Sequence, residues 1–324
     1  MMRRAIATLI LTLPALAACG TSSSTSFDES FVVSVSLYPI AEIVQRVGGD
    51  SIEVMNLTPP GTDAHDVELT AKQLLWLEKS DVVFYFGDDF QPSAQKAIES
   101  LSTNTVIDLF DSVELLEAKL DNHDHEHSEE EITASEEEHS HGEHDPHVWL
   151  DPANMIAMTK TVEASLAKAQ PDNAETFAAN SAAYIAELTE IGNLLDSTIG
   201  PLPGQDISRC DEDHLYTAHQ GFTYLAHRAG LTLVPIAGIN PDEQVSAQYL
   251  EEITAELDGT DVTIFYESLI TSSAAEALAK AVQVKTDVLN PIEGPSQSEI
   301  NKGLTYISAQ RENIQKIAKG LRCS

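Results

Sequence analysis

Basic residues are scarce in this chain. Eighteen Lys and Arg stand against 52 Asp and Glu in 324 residues, a formal charge of −34. With no basic patch, nucleic acid and anionic lipid headgroups are excluded as partners, and cations become the natural ones. Long apolar runs are missing too. The stretch Ala5 to Ala18 has fourteen largely apolar residues, short of the ~20 that a membrane-spanning helix needs, and no later segment is longer and as apolar. Cysteine occurs three times, at Cys19, Cys210 and Cys323, without the C-x-x-C spacing of a thiolate zinc site. The H-E-x-x-H signature of a zinc hydrolase is also absent.

Histidine and carboxylate are plentiful in one place. The segment Asp121 to His147, DNHDHEHSEEEITASEEEHSHGEHDPH, holds seven of the eleven histidines and eleven carboxylates, with no Lys or Arg. Apart from Pro146, its only apolar residues are Ile132 and Ala134, so ordering it would cost roughly 1–2 kcal/mol per residue of backbone entropy with no core in return. A flexible loop is expected. Neutral imidazole nitrogen is a good donor to borderline-soft cations, which makes His123, His125, His127, His139, His141 and His144 candidate accessory, weak metal sites. A merely solvated spacer is the other reading. The segment ends in Asp145-Pro146-His147-Val148-Trp149-Leu150-Asp151-Pro152, which is no longer low in complexity.

The start of the chain reads as a processing signal: Arg3 and Arg4, the apolar stretch, then Leu16-Ala17-Ala18-Cys19. That tetrapeptide resembles the lipobox of bacterial lipoproteins, with residues 1–18 removed, Cys19 lipidated and 19–30 as tether. Export then permits a disulfide, and with Cys19 lipidated, Cys210 and Cys323 are the remaining pair. Attachment to the membrane is expected through lipid only.

At this length two domains are expected. Short β-branched runs at Phe31–Ser36, Ile52–Leu57, Val82–Phe86 and Val106–Leu109 alternate with helical patterns, which predicts an α/β lobe with a mostly parallel sheet over 31–172. Pro171 precedes a stripe through Phe177, Tyr184, Leu188, Ile191 and Leu195, a linking helix over 173–199 that stops at Gly200-Pro201-Leu202-Pro203-Gly204. The alternation resumes over 204–324 with strands at Leu215–Ala218, Leu233–Ile236, Val262–Tyr266 and Thr286–Leu289. Helices are expected at Gly221–His227, Ala247–Leu257, Ser273–Val282 and Gly303–Gly320. Pro235 places the Leu233–Ile236 strand at an edge or bulge. The fold class is α/β, two similar lobes with the ligand site in the cleft between them.

Four histidines lie outside the acidic segment: His65, His214, His219 and His227. His65 follows a strand and His219 lies directly beyond one, where ligands bind in open α/β sheets. His214 precedes the same strand, about 16 Å away along extended chain, and His227 is about 12 Å further along a helix. Neither can share an ion with His219. His147 is fixed between prolines and followed by an apolar Val-Trp-Leu, which holds it against a packed wall.

The chain resembles the zinc and manganese receptors of ABC importers, the ZnuA-like substrate-binding lipoproteins. The matching residues are Pro60-Gly61-Thr62-Asp63-Ala64-His65, the segment from Asp145 to Pro152, Tyr216-Thr217-Ala218-His219-Gln220-Gly221-Phe222-Thr223-Tyr224-Leu225, and Ile264-Phe265-Tyr266-Glu267. The resemblance implies His65, His147 and His219 as metal ligands, with Glu267 as a fourth ligand or as the partner of one. In manganese members a carboxylate commonly takes the third position and an Asp in a G-D-x-Y-like motif completes the site. Gly303-Leu304-Thr305-Tyr306 aligns there, with Leu304 in place of the Asp. Three imidazoles suit Zn²⁺, whereas Mn²⁺ prefers harder oxygen donors. The function so implied is an extracytoplasmic, monomeric zinc receptor on the outer face of a bacterial cell membrane. It passes Zn²⁺ to an ABC permease and does no enzymatic chemistry. A manganese receptor, a zinc hydrolase and a surface adhesin are the alternatives.

Overall fold

The computed structural model describes residues 30–102, 105–118, 142–201, 208–239, 246–257, 259–267 and 283–324, with 278 and 280. The lipobox with Cys19, the histidines His123, His125, His127, His139 and His141, and nearly all of the expected helix Ser273–Val282 lie outside them.

Among the described residues, eight short strands form two separate sheets, each of four parallel strands. The first contains β1 (Val32–Val35), β2 (Glu53–Asn56), β3 (Val82–Tyr85) and β4 (Thr105–Asp108) in the order β2-β1-β3-β4. The second repeats the plan with β5 (His214–Thr217), β6 (Thr232–Pro235), β7 (Thr263–Glu267) and β8 (Lys285–Leu289) in the order β6-β5-β7-β8. Parallel pairing requires a crossover after every strand, and the helices provide it. They also cover the sheets, which is why β3 reads Val-Val-Phe-Tyr and is buried throughout. Pro235 ends β6, an edge strand, where the missing N–H interrupts no ladder.

The helices begin and end on recognisable chemistry. Helix α1 (Tyr38–Gly48) has Pro39 in its first turn, and α2 (Ala71–Lys79) is opened by a capping box between Thr70 and Gln73. After α3 (Pro92–Glu99), α4 (Pro152–Ala169) is capped by the Asp151 side chain. Helix α5 (Ala174–Thr198) is 25 residues long, about 38 Å at 1.5 Å per residue, and packs against α1 and α4 of the first lobe and α6 (Thr223–Ala229) of the second. Helix α7 (Ala247–Leu257) follows, then a short α8 (Gln297–Asn301) that the sequence pattern did not anticipate. The last helix, α9 (Tyr306–Gly320), starts three residues later than expected because Gly303 takes φ +87° and Thr305 caps the helix through Ser308. Among the described residues, no helix is long and apolar enough to cross a membrane.

One hydrophobic cluster runs from Val33, Ile40 and Val44 through Trp149, Tyr184 and Leu188 to Phe222, Tyr306 and Ile317, so the two lobes share a continuous core. Smaller clusters cover the outer face of each sheet, around Leu77 and Val83 in the first and Ile253 and Ile264 in the second. Cys210 and Cys323 are disulfide-bonded, tying the end of the chain to the segment before β5.

Candidate metal centre

In each sheet the strand order reverses beside its first strand, and crevices at the carboxyl ends of strands open there. His219 lies two residues past β5, and Glu267 is the last residue of the neighbouring β7, so the two flank the reversal of the second sheet. His65 sits in the loop after β2, where its backbone N–H donates to the Asp63 carboxylate at 2.9 Å. Phe90, in the loop after β3, meets the His65 ring edge-on at 4.9 Å.

His147 is held by its own segment. Trp149, fully buried, stacks on Phe86 with ring centroids 5.7 Å apart and donates its indole N–H to the Pro291 carbonyl at 2.7 Å. Asp145 accepts from the His147 backbone N–H and faces its Nδ1, each at 2.9 Å, and also accepts from the Thr223 hydroxyl at 2.6 Å. A first-lobe carboxylate is thereby fixed by a second-lobe helix. The arrangement sets the tautomer: with Nδ1 carrying the proton toward Asp145, Nε2 offers its lone pair inward. Glu267 lies on the Nδ1 side of His219, with Oε2 2.5 Å from Nδ1 and Oε1 accepting from the His219 backbone N–H at 3.4 Å.

The three Nε2 atoms converge. His147 Nε2 is 3.3 Å from His65 Nε2 and 3.3 Å from His219 Nε2. A fourth group that the sequence reading missed, Glu293, closes the figure: its Oε1 lies 3.3 Å from His147 Nε2 and 3.8 Å from His219 Nε2, and its Oε2 is 4.0 Å from His65 Nε2. All four donor atoms lie within 4.8 Å of one another. A tetrahedron with zinc–nitrogen bonds of about 2.05 Å has edges of about 3.3 Å, which the two nitrogen pairs match. Glu293 is buried, and its Oε1 faces the rings of His147 and His219.

Glu293, rather than Leu304 or Glu267, joins the three histidines in one group of donor atoms. The Leu304 carbonyl instead accepts from the Tyr38 hydroxyl at 3.3 Å, and its side chain packs against the shared core. The signal for Glu293 was a carboxylate four residues past β8, within the turn Asn290-Pro291-Ile292-Glu293-Gly294, at the same carboxyl end of the sheet as His219. That turn is strained. Ile292, β-branched and buried, has φ +62°, a conformation costing on the order of 1–3 kcal/mol. The Asn290 side chain, accepting from the Ile292 N–H at 2.8 Å, and the Trp149 contact to Pro291 hold it in place.

The electrostatics are those of a site built for positive charge. Burial pushes His147 down, but Asp145 and Glu293 overcome it and hold the imidazolium up to about 10 in the metal-free protein. Burial pushes Glu293 up, and the hydrogen bond and charge of His147 bring it down to about 2. His219 is likewise opposed by burial and raised by Glu267. His65, whose burial dominates, falls to about 3 and is neutral at any working pH.

The other sequence candidates lie elsewhere. His214 faces Asp213 and Glu212 at the opposite end of β5. His144, at the end of the acidic segment, pairs through Nδ1 with Asp88 at 3.1 Å. That pair lines a shallow pocket which also reaches His65 and Phe90, so the acidic segment ends at the mouth of the buried cluster.

Comparison with known proteins follows this geometry. The family described as ZnuA, zinc-uptake complex component A, periplasmic, matches residues 33–320. The zinc-binding lipoprotein AdcA of Streptococcus pneumoniae strain R6 is 30% identical over 316 residues, 96% of this chain but only 60% of AdcA. The chain thus spans about three fifths of that relative's length. The high-affinity zinc uptake system protein ZnuA of Bacillus subtilis is 31% identical over 314 residues, 94% of this chain and 93% of the relative. The Zn(II)-bound ZnuA-like domain of S. pneumoniae AdcA aligns with a TM-score of 0.71 at 27% identity, covering 90% of this chain and 99% of that one. The periplasmic zinc binding protein TroA of Treponema pallidum, at 23% identity and a TM-score of 0.73, shares the fold, covering 90% of this chain and 99% of that one. With its two parallel sheets and a match over nearly the whole chain, the protein belongs to the ZnuA family.

Proposed function

We propose that the chain is an extracytoplasmic zinc receptor that takes up Zn²⁺ between its lobes and delivers it to an ABC permease, without covalent chemistry. His65, His147, His219 and Glu293 are the ligands; Asp145 and Glu267 orient two of the rings. The observation that carries this reading is the pair of 3.3 Å Nε2 separations with one carboxylate at the fourth corner. Three nitrogens and one carboxylate oxygen within 4.8 Å of one another favour Zn²⁺ over Mn²⁺, which takes more and harder oxygen donors.

In this reading Cys19 carries the lipid that anchors a monomer to the outer face of the membrane, residues 31–172 and 204–324 are the two lobes, and 173–199 joins them. His123, His125, His127, His139, His141 and His144 are accessory weak metal sites, a role supported by the position of His144 beside Asp88 in the pocket that reaches His65. Calorimetric titration with Zn²⁺ tests the assignment. The parent should show one tight event, lost or weakened at least 100-fold in His65→Ala, His219→Ala and Glu293→Ala. A tight event unchanged in all three would overturn it.

A further inference from the structure

Helix α9 serves as a common platform under both halves of the metal cluster. Its first residue, Tyr306, donates its hydroxyl to the Trp149 carbonyl at 2.7 Å, and Gln310, one turn on, donates to the Leu150 carbonyl at 2.6 Å. Those two contacts hold the segment that carries His147. Two turns further from Tyr306, Asn313 donates to the Asn290 carbonyl at 2.7 Å and accepts from the Asn290 N–H at 2.9 Å, which holds the turn that carries Glu293. Wherever the N-terminus of α9 sits relative to the first lobe, these ligands follow.

One buried carboxylate fixes that position. Glu42 belongs to α1 of the first lobe, yet its Oε2 accepts from the Tyr306 backbone N–H at 2.6 Å, together with the Tyr38 hydroxyl at 2.8 Å. The groups facing it are Tyr38 and Arg46 from α1, Tyr184 from α5 and Tyr306 from α9. It is 9% exposed, and Oε1 and the Tyr184 hydroxyl each lack a hydrogen-bond partner. Burial raises its carboxyl above the ordinary range, against the Tyr306 N–H and Arg46, which lower it. An apolar side chain at this junction of three helices would avoid that desolvation, so a carboxyl here is costly for stability alone. What it supplies is a directional contact between lobes.

We propose that Glu42 is a positioning residue for the metal site: by pinning the start of α9 to α1 it fixes the spacing between ligands that the two lobes contribute, and so sets how fast the ion is released. This rests on the zinc-receptor reading above. The contact lies within the continuous core rather than at the cleft, so it acts through Tyr306 and Trp149 and touches no ligand directly.

The test is the zinc dissociation rate of the full chain, read by stopped-flow chase with a chromophoric chelator. Apo-state denaturant midpoints are measured alongside. Glu42→Leu keeps the volume and removes the acceptor, and should speed release at least tenfold. Glu42→Gln retains an acceptor for Tyr306 and gains a donor for Tyr184, and should stay within threefold of the parent. Tyr306→Phe, which keeps the helix but loses the bond to Trp149, should also speed release, and should add little when combined with Glu42→Leu because both break one linkage. Unchanged dissociation in folded Glu42→Leu and Tyr306→Phe overturns the proposal, as does a Gln variant as fast as Leu. If Glu42→Leu fails to fold, Tyr306→Phe decides alone, and an unchanged rate there overturns it. A parent that binds no zinc would instead overturn the receptor reading.

Discussion

The most informative single change at the site is Asp145→Asn. Asp145 is fully buried and touches no candidate ligand position itself, but it faces His147 Nδ1 and accepts the His147 N–H and the Thr223 hydroxyl. The amide keeps one carbonyl acceptor for His147, and Thr223 can rotate to accept from the new NH₂, so the local packing survives. Two electrostatic effects then compete. Losing the carboxylate makes His147 easier to deprotonate, which favours metal; it also removes a negative charge that attracts the bound ion. An ion on Nε2 sits across one imidazole ring from that carboxylate, on the order of 6 Å, where a unit charge pair is worth about 3 kcal/mol at an effective dielectric constant of 20. Zn²⁺ loses two such interactions and the displaced proton one. The net loss therefore falls on zinc, and measured effects of removing such orienting carboxylates run to about 10–100-fold, or roughly 1.4–2.8 kcal/mol. Competition titration against a chelator of known affinity, at fixed pH and with folding checked by near-ultraviolet circular dichroism, reads this directly. Zinc affinity within threefold of the parent in a folded variant would refute the reasoning.

Two further outcomes follow from the same structure. Because Asp145 and Glu293 hold the His147 imidazolium up to about 10 in the metal-free protein, zinc must displace a proton at neutral pH; affinity should rise about tenfold per pH unit between pH 6 and 8. Calorimetry in two buffers of different ionisation heat should give at least one proton released, since His219 is raised as well, and none released would contradict the assigned charge state. Reducing the Cys210–Cys323 disulfide, which closes a 113-residue separation, should lower unfolding free energy by about 4–5 kcal/mol in the chain-entropy model. Zinc affinity should hardly change, since neither cysteine approaches the cluster; no shift in denaturant midpoint would count against the entropic account.

Much of the fold was legible along the chain because each lobe is built from local repeats. β-branched runs of four to six residues, separated by amphipathic helices, leave a parallel sheet as the economical solution, and Pro171 with the stripe from Phe177 to Leu195 marks the long helix. His65 and His219 stood out because each follows a strand, and the carboxyl end of a strand is where such sheets open. His147 stood out because prolines and an apolar wall make it rigid where its histidine-rich neighbours have nothing to pack on. Glu293 did not stand out. It lies 74 residues beyond His219 in a turn with no ligand spacing to mark it, and only the superposition of the two lobes carries it to within 3.3 Å of His147.

The same limit applies to the groups that govern the ligands rather than bind. Glu267 reads in sequence as either ligand or partner, and its carboxylate lies beside Nδ1 of His219, a placement that no spacing along the chain shows. Glu42 reads in sequence as an ordinary polar position on an amphipathic helix, and its contact with Tyr306 spans 264 residues. The sequence by itself determined the two-lobed α/β plan, the scarcity of positive charge that suits a cation receptor, two histidines that follow strands and a third held rigid between prolines and an apolar wall. The tertiary structure alone decided the fourth corner of the cluster, the carboxylates that face Nδ1 of His147 and His219, and the spacing between lobes, because each depends on distances across a core that local periodicity does not encode.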